Sequence, residues 1–170
     1  MDIDELLQRY ASGERNFNGL NLAQVNLSLA TLNHTSFKDA DFRNATLHGI
    51  DLILATLTGA NLSGAKLIGA DLSGANLTQA MAKGACLSRA ILIGTCLNQA
   101  NLYDATLSGS ILRGAKLRGA DLRNVNFRGA DLREADLLGA TVQLADLADA
   151  LLDNTILPDG RLADGVEALE

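Results

Sequence analysis

From Phe17 to Leu162 every fifth residue is Leu or Phe, and among these thirty positions only Ala82 and Val142 depart from the rule. All four phenylalanines, Phe17, Phe37, Phe42 and Phe127, fall on the same register. Five residues of α-helix advance the face by about 140°, so this period builds no apolar stripe on a helix. On a straight strand an odd period sends alternate leucines to opposite faces. One inward face results only if the chain bends once per repeat, always to the same side. The pattern therefore predicts a solenoid whose axis is a stack of Leu side chains.

The other positions sharpen this picture. Two residues before each centre the chain is small, with Ala at twenty of the thirty positions. A small and a large residue two apart share one side of an extended segment, so both face inward. The residues flanking the centre are mostly polar and face outward. Two residues after the centre stand thirteen of the sixteen glycines, where a turn needs positive φ or close approach. Asp39, Asn44, Asp104 and Asn124 suit the same place, but Leu54, Arg89, Glu134 and Leu144 also occupy it. That mixture predicts two kinds of turn.

Stretches such as Ala60-Asn61-Leu62-Ser63-Gly64 and Ala70-Asp71-Leu72-Ser73-Gly74 match the consensus A-(D/N)-L-x-x residue for residue. Over most of its length the chain resembles the pentapeptide-repeat family, whose members are abundant in photosynthetic bacteria. The resemblance implies an all-β fold, a right-handed quadrilateral parallel β-helix with four pentapeptides per coil. Thirty centres then make about 7.5 coils, a rod roughly 36 Å long at the usual strand spacing. Ala82 is the expected weak point of its core, because a Leu-to-Ala gap in a fixed backbone costs about 2–5 kcal/mol.

The ends break the period. Residues 1–14 predict an N-terminal capping helix: Asp2, Asp4 and Glu5 come first, Ile3, Leu6, Leu7 and Tyr10 share one face, and Gly13 stops it. The repeat body is expected over 15–164 and a short C-terminal tail over 165–170. Pro158 lacks the N–H that a following coil needs, and Pro158-Asp159-Gly160 reads as a turn.

Composition narrows the function. The chain carries a net charge of −6, which disfavours direct nucleic-acid binding and anionic membranes. No apolar run follows the acidic N-terminus and none has the length of a membrane span, so a cytoplasmic protein is expected. Cys86 and Cys96 lie two pentapeptides apart, which puts them on opposite faces of a square coil, beyond disulfide reach. His34 and His48 fall on different faces with no third ligand, and no phosphate loop or nucleophile motif is present. The chain is expected to bind no metal or cofactor and to be no enzyme.

Two outward features remain. Arg113, Arg118, Arg123, Arg128 and Arg133 occupy five successive outward positions, a girdle around about one coil. Asp121, Asp131, Asp136 and Asp146 stand near enough to neutralise it, so the girdle is either a self-compensated network or a binding surface. Folding the chain in coils of twenty also places Ile53, Ile91, Ile93, Ile111 and Leu151 outward on one face, where an apolar patch suits a protein contact. The expected function is a non-enzymatic structural and interaction module that presents rigid flat faces to a protein partner. It would act as a monomer or as a weak dimer through an end or the apolar face. The alternative implied by the family is a DNA mimic that binds and inhibits or protects DNA gyrase, a type II topoisomerase. That role needs long acidic columns, whereas here Asp51 and Asp71 give way to Ile91 and Ile111, and Asp41 to Asn61 and Met81.

Overall fold

The computed structural model describes residues 2–163. Helix α1 spans Ile3–Ala11, with Asp4 and Glu5 in its first turn and Arg9 in its last, the charge order that suits a helix dipole. Leu6 is buried, and Ile3, Leu7 and Tyr10 pack half-buried against the core. Arg9 clasps the Glu14 carboxylate and thereby ties the helix to the first repeat.

The chain then winds in coils of twenty residues. Up to Asp121 each residue before a centre forms a parallel bridge with its counterpart twenty residues on, and one such ladder runs Asn16↔Ser36↔Thr56↔Asn76↔Cys96↔Lys116↔Asp136↔Ile156. Three more such ladders start at Asn21, Asn26 and Thr31, so the body has four flat faces, numbered here from first to fourth in that order. No face carries long strands, because the chain turns a corner every fifth residue.

A backbone account of one pentapeptide explains the consensus. The centre donates to the following coil (Leu62 N to Met81 O, 2.6 Å), and so does the corner residue (Gly64 N to Lys83 O, 2.9 Å). The residue before the centre donates to the preceding coil (Asn61 N to Ala40 O, 2.9 Å), and the inward Ala closes the turn (Ala65 N to Leu62 O, 2.9 Å). One amide is left, that of the residue after the centre. The side chain of Asn or Asp before the centre accepts it, as Asn61 Oδ1 does from Ser63 N at 3.1 Å and Asp71 Oδ1 from Ser73 N at 2.9 Å. Where the residue before the centre is not Asn or Asp, an Asn one coil earlier can do the same, as Asn98 does for Arg118 N.

The expectation of two turn types is corrected. From Gly19 to Gly139 every corner residue has positive φ, including Leu54 (56°), Arg89 (58°) and Glu134 (63°). Hydrogen bonds on both sides of the corner hold the left-handed residue in place, and this offsets the strain of a side chain there. Glycine has a second use at these corners. Leu54 leans over Gly74, where an added Cβ would lie 2.6 Å from Leu54 Cδ2, so the glycine leaves room for the side chain of the coil before.

Leu and Ala form one continuous core, and Ala82 is buried within it. At four inward Ala sites the chain substitutes Thr35, Thr95, Ser110 and Thr155, all buried. Their hydroxyls donate to backbone carbonyls, for example Thr95 Oγ1 to Leu72 O at 2.8 Å. Phe17, Phe37 and Phe42 pack on one another beneath α1.

The regular winding fails near the C-terminus. A 3-10 helix over Leu144–Leu147 replaces a corner, and Val142 is only half-buried. The parallel ladder ends at Asp136↔Ile156. There β1 (Thr155–Ile156) pairs antiparallel with β2 (Leu162–Ala163) across the turn at Pro158. Leu162 was expected to continue the core, but it is 58% exposed. The reversal of direction turns Ala163 inward in its place. The tail expected over 165–170 lies outside the described residues.

Candidate functional site

The fourth face carries the apolar patch. Its first column runs Thr31, Asp51, Asp71, Ile91, Ile111, Asp131, Leu151 through successive bridges. Its second column, two residues on, reads Asn33, Ile53, Ser73, Ile93, Arg113, Arg133, Asp153. Ile91 and Ile111 are therefore direct neighbours, with Ile93 beside them. Ile93 and Ile111 are exposed and Ile91 is half-buried. The other two expected members do not join them. Ser73 separates Ile53 from Ile93, and Asp131 separates Leu151 from Ile111.

The patch costs the backbone an acceptor. At Ile111 the place of the capping Asn or Asp is taken by an alkyl side chain, and Ile93 stands where the alternative Asn would be. Neither can accept the Arg113 amide. An apolar residue there thus forgoes a hydrogen bond that the family consensus supplies.

The borders of the patch differ in charge. On one side Asp71 accepts the amide and hydroxyl of Ser73, and Asp51 accepts the hydroxyl of Thr31 at 3.2 Å. No cation pairs with either carboxylate among the described residues. On the other side Arg113 reaches Glu134 at 3.1 Å, and Arg133 grips Asp131 with two nitrogens. The charge beside the isoleucines that no cation of the described residues answers is therefore the half-buried acidic pair.

The arginine girdle is mostly neutralised within the chain. Arg118 pairs with Asp136 at 2.5 Å and Arg123 with Asp121 at 2.6 Å, alongside the pairs of Arg113 and Arg133. Arg128 makes no ion pair among the described residues, and Asp146 does not reach it. Asp41–Arg43 and Asp159–Arg161 repeat the Asp-x-Arg arrangement elsewhere. Hydrogen bonds from the guanidinium hold Asp41, Asp121 and Asp131 below the usual carboxylate range, helped by the arginine's own amide and opposed by partial burial.

A cluster on the second face was not anticipated. Tyr103 lies between Lys83 and Arg123, whose charged groups sit 5.1 and 5.4 Å from the ring centre. With Asn101 and Asp121 they line a shallow open depression of about 350 Å³. Lys83, Tyr103 and Arg123 are twenty residues apart, so the coil length alone would have revealed the stack. Cys86 and Cys96 are free and half-buried on the third and first faces. Among the described residues no group of His, Cys, Asp and Glu is arranged to hold a metal ion, and no helix is long and apolar enough to cross a membrane.

Comparison with known proteins agrees with this architecture. The family model for pentapeptide repeats matches in eight copies over residues 16–49, 55–94, 100–139 and 110–149. Among solved structures the chain is similar to HetL, a pentapeptide repeat protein involved in heterocyst differentiation regulation from the cyanobacterium Nostoc sp. strain PCC 7120. The identity is 29%, the TM-score is 0.70, and 96% of this chain and 100% of that chain are covered. It is also similar to QnrB1, a plasmid-mediated fluoroquinolone resistance protein, at 27% identity and a TM-score of 0.56 over 78% of this chain and 74% of that one. A search of curated proteins finds no match. The twenty-residue coil, the four ladders and the eight family matches together make this chain a member of the pentapeptide-repeat family, whose fold is a right-handed quadrilateral β-helix.

Proposed function

We propose that the protein is a non-enzymatic interaction module of the cytoplasm, and that its fourth face docks a protein partner through Ile91, Ile93 and Ile111. The observation that carries this reading is the cluster itself, since outward isoleucines, two of them exposed, stand where Asn or Asp would cap a backbone amide. An apolar group held outward at the expense of a hydrogen bond suits a contact better than it suits the coil. Helix α1 serves in this reading as a cap that keeps the first coil from stacking on other molecules. The likeness to HetL, a protein involved in the regulation of heterocyst differentiation, supports a regulatory role.

The test is the triple variant Ile91→Thr, Ile93→Thr, Ile111→Thr, compared with the wild type in quantitative affinity capture from the source cells. A control variant on the third face, Ser88→Ala, serves as reference. The expected result is a protein captured by wild type and control and lost with the triple variant, whose circular dichroism spectrum stays unchanged. Equal capture by all three, or unfolding of the triple variant, would overturn the assignment.

The likeness to QnrB1 motivates the second reading, a DNA mimic acting on DNA gyrase. Such a mimic needs continuous acidic columns, and the Asp51–Asp71 column is broken by the isoleucines. Asp121 and Asp131 are neutralised by their arginines. Inhibition of gyrase-catalysed supercoiling by the purified protein would reverse the ranking of the two readings.

A further inference from the structure

We infer that the partner of the fourth face is a short extended segment carrying aliphatic residues next to Lys or Arg. This rests on the docking role proposed above for that face and adds the chemistry of its occupant. Asp51 and Asp71 are bridge partners on adjacent coils, so their carboxylates stack at a spacing of about 5 Å. Like charges so placed repel, and no cation among the described residues pairs with them. The two arginines on the far border are already bound to Glu134 and Asp131. A ligand thus meets an acidic pair, then an apolar trio, then a neutralised border.

The geometry sets the form of the segment. From Asp71 to Ile111 is two coil steps, about 10 Å along the rod. Alternate residues of an extended chain lie about 7 Å apart on one side. Aliphatic side chains over Ile91 and Ile111 therefore leave the next inward-facing residue beside Asp71, where the long stem of Lys or Arg covers the remaining distance. The isoleucine patch is far smaller than the roughly 800 Å² per partner that a stable globular interface buries, which favours a short segment.

A second copy of the chain does not fit as well. In an antiparallel side-by-side pair the first column faces itself, and it contains no cation. In a parallel pair about a twofold axis, Asp51 and Asp71 face Ile53 and Ser73 of the other copy. Neither arrangement brings a positive charge to the acidic pair.

The experiment uses fluorescently labelled synthetic peptides and the full chain, read by fluorescence anisotropy. The probe alternates Lys, Thr, Arg, Thr, Leu, Thr, Leu; its counterpart replaces Lys and Arg with Glu. Wild type should bind the basic probe saturably and reject the acidic one. Asp51→Asn with Asp71→Asn keeps both side-chain acceptors and should weaken binding about tenfold, with a reduced dependence on salt. The triple Thr variant should abolish binding. Absence of saturable binding, equal binding of the acidic probe, or an Asn pair that binds like wild type would overturn the inference. If the Thr variant weakens binding while the Asn pair does not, the docking face stands and the basic partner falls. If neither variant changes binding, both fall.

Discussion

Ile111 offers a sharp test of whether the apolar patch belongs to the fold or to function. Replacing it with Asn supplies a capping residue of the kind that Asn61 and Asn126 provide at the equivalent position. Ile111 is 37% exposed, so the substitution gives up roughly two-thirds of the burial of an isoleucine, about 1–2 kcal/mol. The new Oδ1 can accept the Arg113 amide, as Asn126 Oδ1 accepts that of Arg128 at 3.0 Å, which returns about 0.5–1.5 kcal/mol. The two terms nearly cancel, and Ile111→Asn should change stability by less than about 1 kcal/mol, or about 2–4 °C in Tm. The adjacent Leu112 is wholly buried in the core, so Leu112→Ala should cost about 2–5 kcal/mol. Urea unfolding followed by far-ultraviolet circular dichroism measures both. If Ile111→Asn destabilised the protein as much as Leu112→Ala, the patch would be structural and the reasoning from the missing acceptor would fail.

Three further outcomes follow from the same geometry. Gly69→Ala meets nothing within 4 Å and should cost only the left-handed strain, about 1 kcal/mol, whereas Gly74→Ala also collides with Leu54 and should cost more. Thermal melts should show that excess vanish when Leu54→Gly is added, and a persistent excess would refute the corner account. Thr95→Val removes the hydroxyl bond to Leu72 O, but that carbonyl keeps the Ala75 amide, so denaturant titration should show a loss of about 1 kcal/mol and no more. Asp41, Asp121 and Asp131 have depressed folded-state pKa values, so their contribution is complete above the unfolded value of about 3.9 and is lost as pH falls through the folded values. Tm measured against pH should therefore be flat near neutrality and fall below about pH 4, and more gently in Asp131→Asn.

Much of this architecture could be read from the residues. The spacing of Leu and Phe implies one bend per pentapeptide, and the resemblance supplies the coil of twenty that the bridges display. What could not be read is instructive. Leu54, Arg89 and Glu134 have side chains that disfavour positive φ, and only the bonds from adjacent coils keep them there. Leu162 has the right spacing for the core, but the antiparallel return after Pro158 changes which side of the chain faces in. The Ile91, Ile93 and Ile111 cluster was legible because two residues or twenty residues separate its members. Ile53 and Leu151 share the face but not the patch, since a polar residue intervenes on each column. The Lys83–Tyr103–Arg123 stack escapes notice because none of the three is unusual by itself.

The repeated accounting of one pentapeptide has a consequence for insertions and deletions. Every centre is satisfied by the same neighbours, so the core does not distinguish one pentapeptide from another. Removing twenty residues from the regular part would shorten the rod by a coil and leave every later side chain on its original face. Removing five would preserve the leucine stack just as well, yet it would carry all later residues a quarter-turn around the rod. Were the five taken from between Asp71 and Ile91, Asp51 and Asp71 would no longer share a column with Ile91 and Ile111. Length changes of one coil are thus silent for the surface, and changes of a single repeat scramble it while the protein still folds.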